Sequence, residues 1–171
     1  MFILYSNRLR LINADAVVLA RILEGDLSLG QYLNVQVQPG WSSFEDRVFR
    51  YALEQLTTTP EMAPWLTYLP IHQASNELIG SCGFKGLPDD EGMVELGYEI
   101  RSAYRNQGLA TELTGCLLDY AFAQSDVEMV QAHTQGDDNA SCRVLLKNGF
   151  QKDRSMLEAE AGAIWRWIRT K

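Results

Sequence analysis

The spacing of apolar positions changes along this chain, and each change marks an element. Arg8-Leu9-Arg10-Leu11-Ile12 alternates polar and apolar residues and predicts a first strand. Asn13 or Asp15 can cap a helix that runs to about residue 24, before Gly25. Ser42-x-x-Glu45 has the spacing of a capping box. Phe44, Val48, Tyr51 or Ala52, and Leu56 then recur on one helical face. Pro60 closes this helix, because proline pushes the preceding residue out of helical conformation. Residues 65–71 and 78–84 predict two strands that turn at Ser75-Asn76, and residues 93–100 a third beyond a polar loop. Leu109, Leu113, Leu117, Ala121 and Phe122 line one side of a helix over 108–124. A buried strand over 129–133 and a helix over 140–147 follow, with Gly149 suited to a left-handed cap. Residues 150–156 and 163–169 close the chain as a hairpin.

Strand pairing first, then a β-α-β-α-β-β run, predicts an α/β (α+β) fold: a mixed sheet of about seven strands flanked by helices. The 171 residues carry no internal repeat, long linker or low-complexity tract, so a single domain over 1–171 is expected. A hydrophobic content of 46% suffices for one sizeable core. The formal charge of −7 argues against a broad phosphate-binding surface, so no nucleic-acid partner is expected. Cys82, Cys116 and Cys142 are odd in number, form no C-x-x-C and sit in apolar runs, which suits small core residues. His72 and His133 stand isolated in strand patterns and read as structural, so no metal site is expected. The N-terminus has no charged leader before a long apolar segment, and no apolar run approaches about 18 residues. A cytoplasmic protein with no membrane partner is the expectation.

The chemistry concentrates between Ile100 and Glu112. Arg105-x-x-Gly108-x-Ala110 places small residues where a strand and a polar turn lead into a helix. A helix start carries unpaired N–H groups and partial positive charge, and so can hold a phosphate. Arg105 can add a cation. The pattern resembles the R/Q-x-x-G-x-G/A signature of the GNAT superfamily of N-acetyltransferases. Val94-Glu95-Leu96-Gly97-Tyr98-Glu99-Ile100 before it, and residues 138–150 after it, look like segments of the branch that includes ribosomal-protein N-terminal acetyltransferases, of RimJ/RimL type. The close resemblance covers residues 77–152.

The resemblance implies a GNAT fold whose two central strands, ending near Ile100 and running near Val130, splay apart. Acetyl-CoA would be the co-substrate, with its pantetheine arm in the gap. Backbone N–H groups of Gln107, Gly108, Leu109 and Ala110 would hold the diphosphate, with Arg105, Asn106 and Thr111 also in the cofactor site. Tyr98, Ile100, Asn139, Ser141 and Leu145 would complete the cofactor wall, with the Ile100 N–H polarising the thioester carbonyl. Glu95 is the candidate general base or substrate anchor, and Glu99 its rival. Alternation puts Glu95, Gly97 and Glu99 on one face of their strand, and Leu96, Tyr98 and Ile100 on the other. Burial among apolar residues is expected to raise the Glu95 pKa.

Two positions depart from the family pattern. Asp138 stands where many relatives have Asn, so either Asn139 substitutes or the contact changes. Leu145 stands where many relatives have a Tyr that protonates the leaving thiolate. Ser141 or Tyr98 can serve instead, or the coenzyme A thiolate leaves unassisted, its pKa being like that of cysteine. Glu112 suits the first turn of its helix and reads as structural. Trp41 and Trp65 are candidates for gripping a cationic acceptor. Trp165 and Trp167 suit packing or the edge of a homodimer. The reading is transfer of acetyl from acetyl-CoA to a primary amine, either a protein α-amine or a small molecule, by direct attack in a ternary complex. The alternative is a non-catalytic acyl-CoA-binding module. A nucleotide-dependent oxidoreductase is disfavoured by the lack of G-x-G-x-x-G with a downstream acidic residue.

Overall fold

The computed structural model describes residues 2–44, 46–158 and 162–171. Strands β1 (Ile3–Tyr5) and β2 (Leu9–Asn13) form an N-terminal hairpin. Helices α1 (Ala16–Glu24), α2 (Asp26–Leu33) and α3 (Asp46–Thr58) follow. Then come β3 (Thr67–His72), β4 (Glu77–Leu78), β5 (Gly80–Phe84) and β6 (Met93–Ile100). Helix α4 (Leu109–Phe122), β7 (Met129–Gln135), α5 (Ala140–Lys147), β8 (Gln151–Glu158) and β9 (Gly162–Thr170) complete the chain.

The sheet runs β1-β2-β3-β5-β6-β7-β9-β8, with β4 paired to β3. Neighbouring strands are antiparallel except β6 and β7, which run parallel. The mixed sheet agrees with the sequence pattern; β1 and β4 are additional to the expected strands, both too short to show a period. Each face of the sheet carries its own core, as alternation along a doubly covered strand requires. Leu9, Leu11 and Tyr68 point toward the core under α4 and α5. Ile12, Leu69 and Ile71 point into the second core, under α1, α2 and α3.

Of the two caps offered for α1, Asp15 takes the position. Its Oδ1 accepts the N–H groups of Val17 and Val18 at 3.1 and 3.0 Å. Glu45 of the capping-box pattern lies outside the described residues. Helix α2 was not legible in the sequence, because Leu29 is its one buried residue and Gly30 interrupts it. Packing at Gly30 is tight: a Cβ there would lie 3.0 Å from the Val35 carbonyl oxygen. The strand expected from residue 65 begins instead at Thr67, after a 3₁₀ turn over Pro60–Trp65.

The parallel pair positions the site. Pairing joins only Met93, Val94 and Glu95 to Met129, Val130 and Gln131. Beyond this point β6 stays with β5 to Ile100, while β7 stays with β9 to Gln135. The two strands therefore part after Glu95, as the resemblance implied.

Candidate active site

Strand register decides which groups face the gap. Lys85 N–H donates to the Glu95 carbonyl at 2.9 Å, and Arg101 N–H to the Ile79 carbonyl at 2.8 Å. Antiparallel bonding alternates, so Glu95, Gly97, Glu99 and Arg101 spend their main-chain groups on the β5 side. The main-chain groups of Leu96, Tyr98 and Ile100 point the other way, toward the parted β7. The Ile100 carbonyl takes the Arg105 Nε–H at 3.0 Å. Arg105 is thereby tethered beside the gap and is not a freely swinging cation.

A cavity of about 740 Å³ fills the gap. Tyr98, Ile100, Arg105, Ala110, Asn139 and Ser141 line it, as do Glu95 and Glu99 from the opposite face of β6. Side chains from both faces meet in one cavity because the strands have parted. Helix α4 begins beside it. Gly108 caps that helix in the left-handed region (φ 76°) with no side-chain cap, so no side chain claims the first amides. Asn106 is also left-handed (φ 59°). Leu109 is buried in the core and brings only its backbone to the turn. Gln107 Nε2 donates to the Ala103 carbonyl at 3.1 Å, and its own carbonyl accepts Arg8 Nη1 at 2.9 Å. The Thr111 carbonyl is taken by Asn148 Nδ2 at 3.2 Å. Glu112 accepts from Ser6 Oγ at 2.7 Å, Arg8 N–H at 2.6 Å and Arg8 Nε at 2.7 Å. The helix start is thus anchored to the turn between β1 and β2.

At the first of the two departures, Asn139 and Asp138 take different places. Its Oδ1 caps α5, accepting the N–H groups of Ser141 and Cys142 at 2.9 and 3.2 Å. Its Nδ2 donates to Asp137 at 2.8 Å. Asn139 lines the cavity, whereas the Asp138 side chain is 84% exposed. Leu145 is a correction. It lies 1% exposed in the core, and Val144 with Ser141 presents the face of α5 that lines the cavity. The lining face is centred between Ala140, Ser141 and Val144, and Leu145 turns to the core side of it. The Tyr98 hydroxyl donates to the Ser141 carbonyl at 3.3 Å across the gap. Burial pushes its pKa up to about 12.

Glu95 also departs from expectation. Burial pushes its carboxyl up, but hydrogen bonds and charge from Lys85 and His133 outweigh this and leave it below the ordinary value. Lys85 Nζ pairs with Oε1. His133 Nδ1 lies 3.0 Å from the same oxygen, and Gln131 Nε2 donates to Oε2 at 3.1 Å. An ionised carboxylate only accepts, so His133 carries a proton on Nδ1. His133 is therefore part of the site, although it looked isolated in the sequence. Lys85 was also missed; the signal was its place directly across from Glu95 once Gly83 and Gly97 are set opposite each other. The rival carboxylate, Glu99, is committed elsewhere. Ser42, Ser43 and Ser81 hydroxyls and the Ser43 N–H all donate to it. That clamp fixes the segment before α3 to the sheet.

Trp41 and Trp65 do not form a cation grip. Trp41 is 6% exposed, donates to Asp26 at 3.0 Å and packs on Phe49. Trp65 is buried against Phe84 and Tyr120. Cys82 and Cys142 are buried, and burial raises the Cys82 thiol pKa. Among the described residues no group of His, Cys, Asp and Glu is placed to hold a metal ion. No helix there is long and apolar enough to cross a membrane.

A sheet split at one parallel pair, with a helix start that has no side-chain cap beside the split, is the arrangement that the resemblance implied. The family profile described as an acetyltransferase (GNAT) domain matches residues 8–151, and the chain belongs to that family. It is 28% identical over 154 residues to YjdG of Bacillus subtilis (strain 168), an uncharacterized N-acetyltransferase, spanning 88% of this chain and 90% of the relative. Its fold matches RimL, a ribosomal L7/L12 α-N-protein acetyltransferase solved with coenzyme A, with a TM-score of 0.73 at 19% identity over 99% of this chain and 98% of that one. It also matches the microcin C7 self-immunity acetyltransferase MccE, solved with acetyl-CoA and AMP, with a TM-score of 0.69 at 10% identity over 97% and 94%.

Proposed function

We propose that the chain is an acetyl-CoA-dependent N-acetyltransferase in which a primary amine attacks the thioester directly. The observation that carries the reading is the parting of β6 and β7 over a cavity that meets both the uncapped start of α4 and the Glu95–His133 pair. The free amides at that helix start suit a diphosphate. The gap-facing N–H of Ile100 or Tyr98 suits the thioester oxygen.

In the transfer step the amine nitrogen forms a bond to the acetyl carbon, and the carbon–sulfur bond breaks. The amine proton passes to the Glu95–His133 pair, with His133 Nε2 as the accepting atom. Glu95 holds the imidazole in that tautomer, as a carboxylate orients histidine in hydrolytic triads. The thiolate has an ordinary pKa near about 8.5 and leaves with the Ser141 or Tyr98 hydroxyl as the available donors. Holding both reactants in the gap supplies much of the rate enhancement. A cytoplasmic location suits such an enzyme.

Melting with acetyl-CoA, and with NADH as control, tests the cofactor assignment. Ligand at about 100 times its Kd adds ~2.7 kcal/mol, a Tm rise of about 5–10 °C at this length. A rise with acetyl-CoA alone is expected; none at saturation overturns the assignment. Thiol release with an amine then separates the enzyme from a module that only binds acyl-CoA. Glu95→Gln is expected to lower kcat about 100-fold or more with little change in acetyl-CoA affinity. Unchanged turnover removes Glu95 from the mechanism.

A further inference from the structure

A second cavity, of about 600 Å³, lies between α3 and strands β5 and β6. It is within the size range of small-molecule sites. Its floor includes Ser81, Gly83 and Gly97, which share the β6 face of Glu95 and Glu99. Lys85 lines both this cavity and the cofactor gap, so the two spaces meet at the partner of Glu95.

The lining is apolar and aromatic. Phe49, Ala52, Leu66 and Phe84 are buried around it, while Phe44, Val48 and Tyr51 stand 46%, 41% and 56% exposed at its rim. Val48 and Tyr51 lie three positions apart on α3 and Phe44 just before it, a contiguous exposed apolar cluster of the kind that marks a binding groove. The charged groups among the described lining residues are Arg47 and Lys85, both cations. Among the described residues, the two carboxylates on this face of β6 are already engaged: Glu95 with Lys85, His133 and Gln131, and Glu99 with serine donors. This contrasts with the net charge of −7 for the whole chain.

We infer that this cavity receives the acceptor, and that the acceptor is a primary amine bearing a bulky apolar group and no second positive charge. The inference rests on the acetyltransferase reading and narrows it. A polyamine or aminoglycoside would bring additional ammonium groups to a wall whose described charged groups are Arg47 and the Lys85 already paired with Glu95, neither of which can accept them. A single amine meets the same cations with a different result. They favour its neutral form, which is the form that attacks. Transferring a phenyl or isobutyl group from water to the apolar wall supplies the binding energy. Glu99 serves here as a positioning residue, because its bonds to Ser42 and Ser43 hold the segment that carries Phe44.

Initial rates of thiol release test this with four acceptors at one pH: phenethylamine, a tetrapeptide amide with N-terminal phenylalanine, spermidine and kanamycin. At least one apolar acceptor is expected to exceed both polycations in kcat/KM by about tenfold or more. Which of the two wins distinguishes a free amine from a peptide terminus. Gly97→Leu is the companion variant. A Cβ at Gly97 meets nothing within 4 Å, so the longer side chain enters the cavity without striking the backbone. It is expected to raise the KM for the apolar acceptor about tenfold or more and to leave the KM for acetyl-CoA within about twofold. Faster polycations, or an unaffected Gly97→Leu, overturn the inference. Saturation-transfer NMR of phenethylamine with the CoA-bound protein reads binding without turnover. Binding that Gly97→Leu abolishes, with no transfer to any amine, overturns the acetyltransferase reading and leaves the apolar site standing. Absence of both binding and transfer for the apolar acceptors overturns the site itself.

Discussion

The side chain of Glu95 shows how far a residue's environment can depart from its strand. The apolar neighbours in sequence promise a raised pKa; the cross-strand donors Lys85 and His133 reverse it. A carboxylate held low stays ionised across the neutral range and suits the orientation of His133 better than direct proton uptake. Removing one of the donors has a definite sign. In Lys85→Met, burial still pushes the Glu95 carboxyl up while one lowering contact is gone, so its pKa rises. The acid limb of kcat/KM against pH should move to higher pH in this variant, and an unmoved limb would show that Glu95 does not govern it. Glu95 was legible in the sequence because alternation fixes its face. His133 was not, because its partner lies 38 positions away and is met only through the parallel pairing of β6 with β7.

At the scale of elements, capping chemistry decides local fit. Asn139 spends its side-chain oxygen on the first amides of α5 and so fixes where the cavity-lining face of that helix begins. Asn139→Ala should cost about 1 kcal/mol and lower Tm by about 2–4 °C, measurable by calorimetry on the protein without cofactor. An unchanged Tm would show that packing of Cys142 and Leu145 alone holds the helix. Elements with a clear period, such as α4 and β6, were readable in advance. Helix α2 was not, since one buried leucine makes no period. Placing Leu145 on the cavity wall failed for a related reason. Counting back from Gly149-Phe150 gives a sequence position, but the helical phase set by the Asn139 cap puts Val144 on the wall.

At the scale of the molecule, Glu112 ties the start of α4 to the N-terminal hairpin, across 104 positions to Arg8. Burial pushes its carboxyl up, but the Arg8 N–H, the Ser6 hydroxyl and the Arg8 guanidinium more than offset this, so its pKa is lowered in the fold. A lowered folded pKa contributes stability that is present above the unfolded value, 4.5, and is lost as pH falls through the folded value. Glu112→Gln should therefore be less stable than the parent at pH 7, with the gap narrowing as denaturant titrations approach about pH 3. A constant gap would assign the effect to geometry rather than charge. The sequence by itself determined the class of fold, the polar turn that starts α4 and the face on which Glu95 lies, because periodicity, caps and small residues act within a few positions. Tertiary structure alone decided the parting of β6 from β7, the Lys85–Glu95–His133 cluster, the commitment of Glu99 to serines and the apolar cavity under α3. Each of these depends on strands and helices distant in sequence being brought into register, and no local pattern encodes such a distance.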